Sequence, residues 1–120
     1  MNASMSISRI DHYRFGRIVI DGLPYSKDVV IFPDHVVSPW WRRKGHELQP
    51  EDIVDILDAK PAVLVVGQGA YGMLQVLAEA RDALDAVGIE VQAYPTERAC
   101  AVYNELCQMQ VVIAALHLTC

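Results

Sequence analysis

The chain has 120 residues, of which 52% are hydrophobic and 21% charged, and its formal net charge is −5. This apolar fraction excludes a disordered chain, and three cysteines are too few for a disulfide scaffold. The acidic balance argues against nucleic acid as the main partner. We also expect no membrane span, because the apolar run from Val111 to Leu116 is far shorter than the ~20 residues that a spanning helix needs.

We expect a single domain over residues 1–120, with residues 1–9 as a loosely ordered lead-in. Met1 to Ser8 has neither the apolar core of a signal peptide nor an arginine-rich amphipathic character, so the expected location is the cytoplasm. The three cysteines include no CxxC pair, which favours reduced thiols. Cys100 and Cys107 lie roughly 10 Å apart on a predicted helix, too far for a disulfide.

The first third of the chain is predicted to be rich in strands. Asp21-Gly22 is a turn signal after the strand Arg17 to Ile20, and Asp28 to Phe32 is a second strand ended by Pro33.

An extended segment is predicted from Val36 to Arg42. Successive side chains of an extended segment point to opposite faces, so one indole of the Trp40-Trp41 pair is expected in the core and the other at the surface. An exposed tryptophan beside arginine often marks a contact surface. The basic run Arg42-Arg43-Lys44 is more typical of a solvated loop than of a phosphate site.

Helices and strands are predicted to alternate after residue 50. In order, these are a helix from Pro50 to Pro61, a central strand Ala62 to Val66, a helix carrying Leu74, Leu77, Leu84 and Val87, a strand Ile89 to Tyr94, a helix with Thr96 as N-cap, and a strand Val111 to Leu118. This alternation is typical of an α/β fold whose sheet is mostly parallel.

The stretch Gly67-Gln68-Gly69-Ala70-Tyr71-Gly72 matches the pattern G-x-G-x-x-G between a predicted strand and a predicted helix. A dinucleotide site is disfavoured because Glu90 comes early in its strand and the chain holds one such unit only. A glycine turn between strand and helix is the favoured interpretation. The alternative is a small anionic ligand, bound where the Gly67 to Gly72 turn and Thr96 would present two helix N-termini.

Other chemistry-bearing residues have structural interpretations. Cys100 lies near a helix start, where the dipole would lower its pKa, but a core thiol is favoured. His117 stands among apolar residues of the last strand and is interpreted as a structural histidine, although a spatial Cys/His pair stays open. Tyr103-Asn104 is interpreted as a polar pair whose amide bonds to a nearby loop. We expect no catalytic residue, metal or cofactor.

Several short motifs resemble, in order and spacing, a family of small α/β domains. They are Gly22-x-x-Tyr25, Asp28-Val29-Val30-Ile31, Trp41-Arg42-x-x-Gly45-His46, Gly67-x-Gly69, Gly88-Ile89-Glu90-Val91, Thr96-x-x-Ala99, Tyr103-Asn104 and a terminal Ala-Ala-Leu. The family is that of the adipogenesis-associated domain protein and mitochondrial complex I assembly factor three, with bacterial and archaeal members of unknown function.

The resemblance implies a three-layer domain with a mixed central sheet in which one strand runs against the others. It also implies a cluster at one end of the sheet, formed by Trp41, Arg42, Gly67, Gly69, Thr96, Tyr103 and Asn104. Two hypotheses follow: an accessory or assembly protein that binds another protein through Trp41 and Arg42, or a small-molecule protein or enzyme with a pocket at the Gly67–Gly72 turn.

Overall fold

The structure, a computed structural model, describes residues 8–120 and contains ten strands and three α-helices in that range. Most of the expected lead-in, residues 1–7, therefore lies outside the described residues. In chain order the elements are β1 (Ile10–Arg14), β2 (Arg17–Ile20), β3 (Leu23–Tyr25), β4 (Val29–Ile31), β5 (Val36–Val37), β6 (Glu47–Leu48), a 3-10 helix (Pro50–Ile53), α1 (Val54–Ala59), β7 (Val63–Gln68), β8 (Gln75–Val76), α2 (Ala78–Ala86), β9 (Glu90–Tyr94), α3 (Thr96–Leu106) and β10 (Val112–His117).

The central sheet has five strands in the order β5-β4-β10-β7-β9. Strands β10, β7 and β9 are parallel, whereas β4 is antiparallel to both of its neighbours. Thus β4 alone runs against the other strands of this sheet. The predicted α/β class with a mixed, mostly parallel sheet is confirmed.

Strands β7 and β10 are apolar and lie inside the central sheet, with both of their faces covered. Val63 and Val65 in β7 are 1% and 0% exposed, as expected for a strand inside a doubly covered sheet. Helix α3 and the β1-β2-β3 sheet contribute to the core on one face, and the 3-10 helix, α1 and α2 contribute to the core on the other. The result is the three-layer arrangement that the resemblance implies.

The turn at Asp21-Gly22 forms as predicted. Both residues have positive φ, 50° and 81°, which suits the tight hairpin between β2 and β3. Within residues 8–120 no helix is long and apolar enough to cross a membrane.

The second helix starts later than the sequence predicts. Leu74 is buried but lies before α2, and the chain next to it forms β8, paired in parallel with β6. The backbone N–H groups of Leu74 and Gln75 donate to the carbonyls of Gln68 and His46, so strand-like contacts with distant segments replace the first helical turn. Val87, predicted on the inner side, is 43% exposed.

The helix predicted from Pro50 begins as a 3-10 turn, and α1 ends at Ala59, before Pro61, because Lys60 adopts a left-handed conformation. The extended segment predicted from Val36 to Arg42 pairs with β4 only at Val36–Val37. Pro39 lacks the N–H that a longer ladder would need.

Candidate binding site

The segment after β5 turns two adjacent tryptophans in opposite directions. Trp40 is 8% exposed and packs in the core, whereas Trp41 is 77% exposed. The predicted separation of the two indoles is confirmed. Large apolar side chains that are exposed to solvent are common at interaction surfaces.

An open groove of about 260 Å³ lies beside the two tryptophans, and we call it the Trp41 groove. Its wall is part apolar and part acidic; the lining residues are Val30, Phe32, Val37, Trp40, Trp41, Glu51, Asp52, Val54, Asp55 and Ile56. Pockets for small molecules typically have volumes of roughly 300–1,000 Å³. The volume of the Trp41 groove lies just below this range and suits a single large side chain.

Asp28 holds the tryptophan segment against the sheet through its backbone. Its carbonyl oxygen accepts hydrogen bonds from the backbone N–H of Trp40 at 2.8 Å and from the Ser38 hydroxyl at 3.1 Å. Asp28 immediately precedes β4, so these bonds fix the segment to the strand that supplies Val30 to the groove.

The Asp28 side chain completes the anchor at the carboxyl end of β10. Its Oδ2 accepts from Arg42 Nη2 at 2.9 Å and from His117 Nδ1 at 2.8 Å, and its Oδ1 accepts from the backbone N–H of Leu118 at 2.8 Å. The side chains of Arg42 and His117 are only 5% and 9% exposed. The guanidinium also lies 4.5 Å from the Trp40 ring centroid, so Arg42 makes a cation–π contact with the buried indole.

The ionisation of Asp28 follows from this geometry. Burial raises the pKa of the carboxyl group, but the hydrogen bonds from His117 and the Leu118 N–H, together with Arg42, outweigh it and hold the pKa below the usual aspartate value. We assign a proton to Nδ1 of His117, because this nitrogen lies within hydrogen-bond distance of the Asp28 carboxylate. The two donors, Arg42 Nη2 and His117 Nδ1, converge 3.2 Å apart on one oxygen.

The structure therefore separates the two residues of the expected Trp41–Arg42 contact surface. Trp41 faces solvent, whereas Arg42 is turned inward to Asp28 and to the carbonyl oxygen of Gly45. In this arrangement Arg42 positions the tryptophans and does not present its charge at the surface.

The glycines of the G-x-G-x-x-G stretch lie in tight packing. A Cβ on Gly67 would lie 2.8 Å from Leu116 Cδ2 and 2.9 Å from Thr96 Oγ1. A Cβ on Gly69, whose φ is +92°, would lie 2.7 Å from the Thr119 carbonyl oxygen. These glycines thus allow α3 and the end of β10 to approach the turn closely, in keeping with the structural interpretation.

The amides expected to receive an anion near Thr96 already have partners. Gly69 N–H donates to the Thr96 hydroxyl at 2.8 Å, Thr96 N–H donates to the Gly69 carbonyl at 3.1 Å, and Ala70 N–H donates to the Thr119 carbonyl at 2.7 Å. Helix α2 begins at Ala78, so the glycine turn does not open a helix as predicted.

Thr96 has a different role from the predicted N-cap. Pro95 occupies the N-cap position of α3, and Thr96 is the first helical residue. Its hydroxyl, fully buried, donates to the His117 carbonyl at 2.6 Å while accepting from Gly69, so it joins β7, α3 and β10.

Tyr103 and Asn104 lie away from both regions. Eight residues separate Thr96 from Asn104, which is about 12 Å along the helix axis. The Asn104 amide pairs with both backbone groups of Ile10, at 3.0 and 2.8 Å, and the Tyr103 hydroxyl donates to the Ser8 carbonyl at 3.2 Å. They attach the start of β1 to α3, which agrees with a structural role for the amide.

Cys100 is a core thiol. Burial, with a smaller contribution from Glu97, raises its pKa to about 12, opposite to the lowering expected at a helix start. Within residues 8–120 no group of three or more His, Cys, Asp and Glu is placed to hold a metal ion.

We expect a single thiol of the folded protein to react quickly with Ellman's reagent at neutral pH. Cys120 is exposed, whereas Cys100 and Cys107 are buried and have raised pKa values. Absorbance at the thionitrobenzoate band would rise by one equivalent in buffer and by three in guanidinium. Rapid modification of Cys100 in the folded chain would contradict the core assignment.

With this geometry in place, comparison with known proteins gives the family. The family described as "protein of unknown function (DUF498/DUF598)" matches residues 10–117. The chain belongs to this family. The molecular function of the DUF498 family is unknown.

Solved structures similar to this DUF498 chain share its fold over nearly its whole length. A conserved hypothetical protein from Pyrococcus horikoshii is 32% identical, with 93% of this chain and 99% of that chain covered and a TM-score of 0.80. A Bordetella pertussis protein described as a Mth938-like domain is 23% identical, with coverages of 92% and 85% and a TM-score of 0.66. An outer membrane protein from Bartonella henselae is 22% identical, with coverages of 94% and 96% and a TM-score of 0.81. The last two proteins are less than 25% identical to this chain, so their similarity shows a shared fold only.

The sequence did not point to Asp28 or to the acidic wall of the groove as parts of a site. Asp28 belongs to one of the family motifs, but nothing in its local pattern connects it to Arg42 or His117. Glu51 and Asp55 carry a signal that could have been used, since residues four apart share one face of a helical segment.

Proposed function

We propose that this chain is an accessory protein that binds a segment of another protein in the Trp41 groove. The observation that carries the proposal is the 77% exposure of Trp41 at the edge of an open, partly apolar groove. Tryptophan is among the residues most enriched at the energetic centres of protein interfaces. A groove of about 260 Å³ suits one large anchor side chain of a partner.

Pre-organisation supports the same function. The backbone next to Trp41 is fixed on both sides, by the Trp40 N–H bond to Asp28 and by the Arg42 ion pair with Asp28. A segment already ordered before binding loses less conformational entropy when the partner arrives. Trp41 thus combines an exposed ring with a constrained main chain.

The resemblance to complex I assembly factor three supports a finer proposal, in which the partner is a protein that this chain helps to assemble, in the cytoplasm. A small anionic ligand is less favoured in the Trp41 groove, because its three lining carboxylates would repel an anion. It is also less favoured at Thr96, where the neighbouring amides are bonded internally.

The test is a peptide-display selection on the immobilised protein, with each enriched sequence re-measured on two variants. We expect Trp41→Ala to weaken binding by roughly 30-fold, the equivalent of about 2 kcal/mol for an interface anchor. The readout is the Kd of each enriched peptide, measured by fluorescence polarisation.

Tyr71→Ala is the matched control. Tyr71 is 73% exposed, nearly as much as Trp41, and it does not line the groove. Its removal should leave the Kd unchanged. Enriched peptides that bind Trp41→Ala as well as the parent chain would overturn the proposed function.

A further inference from the structure

We infer that the segment bound in the Trp41 groove is basic and amphipathic, with an apolar anchor side chain flanked by lysine or arginine. This inference rests on the protein-binding function proposed above and adds the chemistry of the partner. It is carried by the charge of the groove wall and by the position of the exposed indole.

The groove wall carries three carboxylates. Glu51, Asp52 and Asp55 line the groove, and none of the described lysines, arginines and histidines does. Among residues 8–120, none of these three carboxylates forms an ion pair with a basic side chain. Arg42 belongs to the basic run closest to these residues in sequence. It does not neutralise them, because its guanidinium is buried against Asp28.

Two of the carboxylates are available to a partner. Asp52 is held by backbone N–H groups, accepting from Arg43 at 3.1 Å and from Gln49 at 2.9 Å. Glu51 and Asp55 are exposed, and their spacing of four places them along one side of the helical segment. Both line the same groove as the apolar residues Val37 and Val54, so a cation next to an anchor residue would meet a carboxylate.

The exposed indole favours the same partner. The apolar lining, including Val37 and Val54, receives the anchor side chain, and both valines are themselves exposed. A lysine or arginine beside the anchor would also lie near the face of Trp41, where a cation–π contact is favourable. Apolar floor, acidic wall and aromatic edge together match a basic amphipathic segment.

Intrinsic fluorescence offers a local probe, because the chain has two tryptophans and both line the groove. The probes are a short peptide of alternating lysine and leucine and two matched peptides in which serine or glutamate replaces lysine. We expect the lysine peptide to change the tryptophan emission and to bind about tenfold more tightly than the serine peptide at low salt, with the difference reduced by added salt. The glutamate peptide should bind most weakly.

The double variant Glu51→Gln/Asp55→Asn should weaken binding of the lysine peptide by about fivefold and leave the Kd of the serine peptide unchanged. Its matched control is Glu79→Gln/Asp82→Asn, which changes the net charge equally but outside the groove. The control should bind the lysine peptide as the parent chain does.

Three results would overturn the inference: a serine peptide that binds as tightly as the lysine peptide, equal losses in the groove and control variants, or no change in emission with the lysine peptide. The display selection separates this failure from failure of the function. Selected sequences that depend on Trp41 but carry no excess of lysine or arginine would refute only the basic character. Selected sequences that do not depend on Trp41 would refute both.

Discussion

Replacing Asp28 with asparagine is expected to destabilise the protein by about 3–5 kcal/mol, the usual cost of breaking a buried ion pair by removing one partner. Arg42, whose side chain is 5% exposed, would keep its charge without the carboxylate that offsets its desolvation. The asparagine Oδ1 can still accept from Leu118 N–H, but its Nδ2 then replaces the Oδ2 that accepts from Arg42 Nη2 and His117 Nδ1, so both acceptor contacts are lost together with the charge. The midpoint of thermal unfolding, followed by circular dichroism, should fall by roughly 10 °C or more.

The control is Asp34→Asn, which removes the carboxylate of an exposed pair with His35. It should leave the unfolding midpoint nearly unchanged, because water solvates both side chains of an exposed pair whether or not the pair is formed. If the two variants lost equal stability, the Asp28 cluster would not be the anchor of the tryptophan segment.

Acid provides a second test of the same cluster. The pKa of Asp28 in the folded protein lies below the usual value of 3.8, so the stabilisation by its carboxylate is complete above that pH and is lost as the pH falls through the folded pKa. The stability difference between the parent chain and Asp28→Asn should therefore be constant at neutral and mildly acidic pH and narrow below about pH 4. A difference that widened in acid would contradict this assignment.

Thr96→Val is expected to cost about 2–6 kcal/mol of unfolding free energy although the two side chains are nearly the same size. The hydroxyl receives the Gly69 N–H and donates to the His117 carbonyl, and valine can do neither. Each buried backbone group left unpaired costs about 1–3 kcal/mol. Chemical denaturation measures the loss, and hydrogen exchange of the Gly69 amide should accelerate.

Thr96→Ser separates the hydroxyl from the methyl group. It should keep the slow exchange of Gly69 and lose only the packing of one methyl, about 1 kcal/mol. If valine proved as stable as serine at this position, the hydroxyl bridge between β7, α3 and β10 would not contribute.

Local patterns predicted the layers of the fold because burial in this chain follows the sequence closely. Continuous apolar runs gave β7 and β10, and the alternation at Trp40 and Trp41 gave one buried and one exposed ring. The sequence predicts too early a start for helix α2, because the spacing of Leu74 and Leu77 is typical of a helix. Tertiary pairing prevailed there, since Leu77 N–H donates to the Leu48 carbonyl.

The site was much less predictable because its parts are distant in sequence. Asp28 is 14 residues from Arg42 and 89 from His117, and no spacing rule connects them. Likewise, the sequence favours a structural glycine turn but does not show that Thr96, 27 residues from Gly69, accepts the hydrogen bond of the Gly69 amide. The Trp41 groove needs β4, β5, the tryptophan segment and the helical turn together.

The most direct test that the Trp41 groove is a protein-binding site is a titration of the isotope-labelled chain with a display-selected peptide, followed by proton–nitrogen correlation NMR. The two indole N–H signals belong to Trp40 and Trp41 and report on the groove. We predict that the Trp41 signal shifts most among the side chains, together with the amide of Val54 across the groove. Saturable binding with both indole signals unmoved and shifts centred on another surface, such as that around Tyr71, would contradict it.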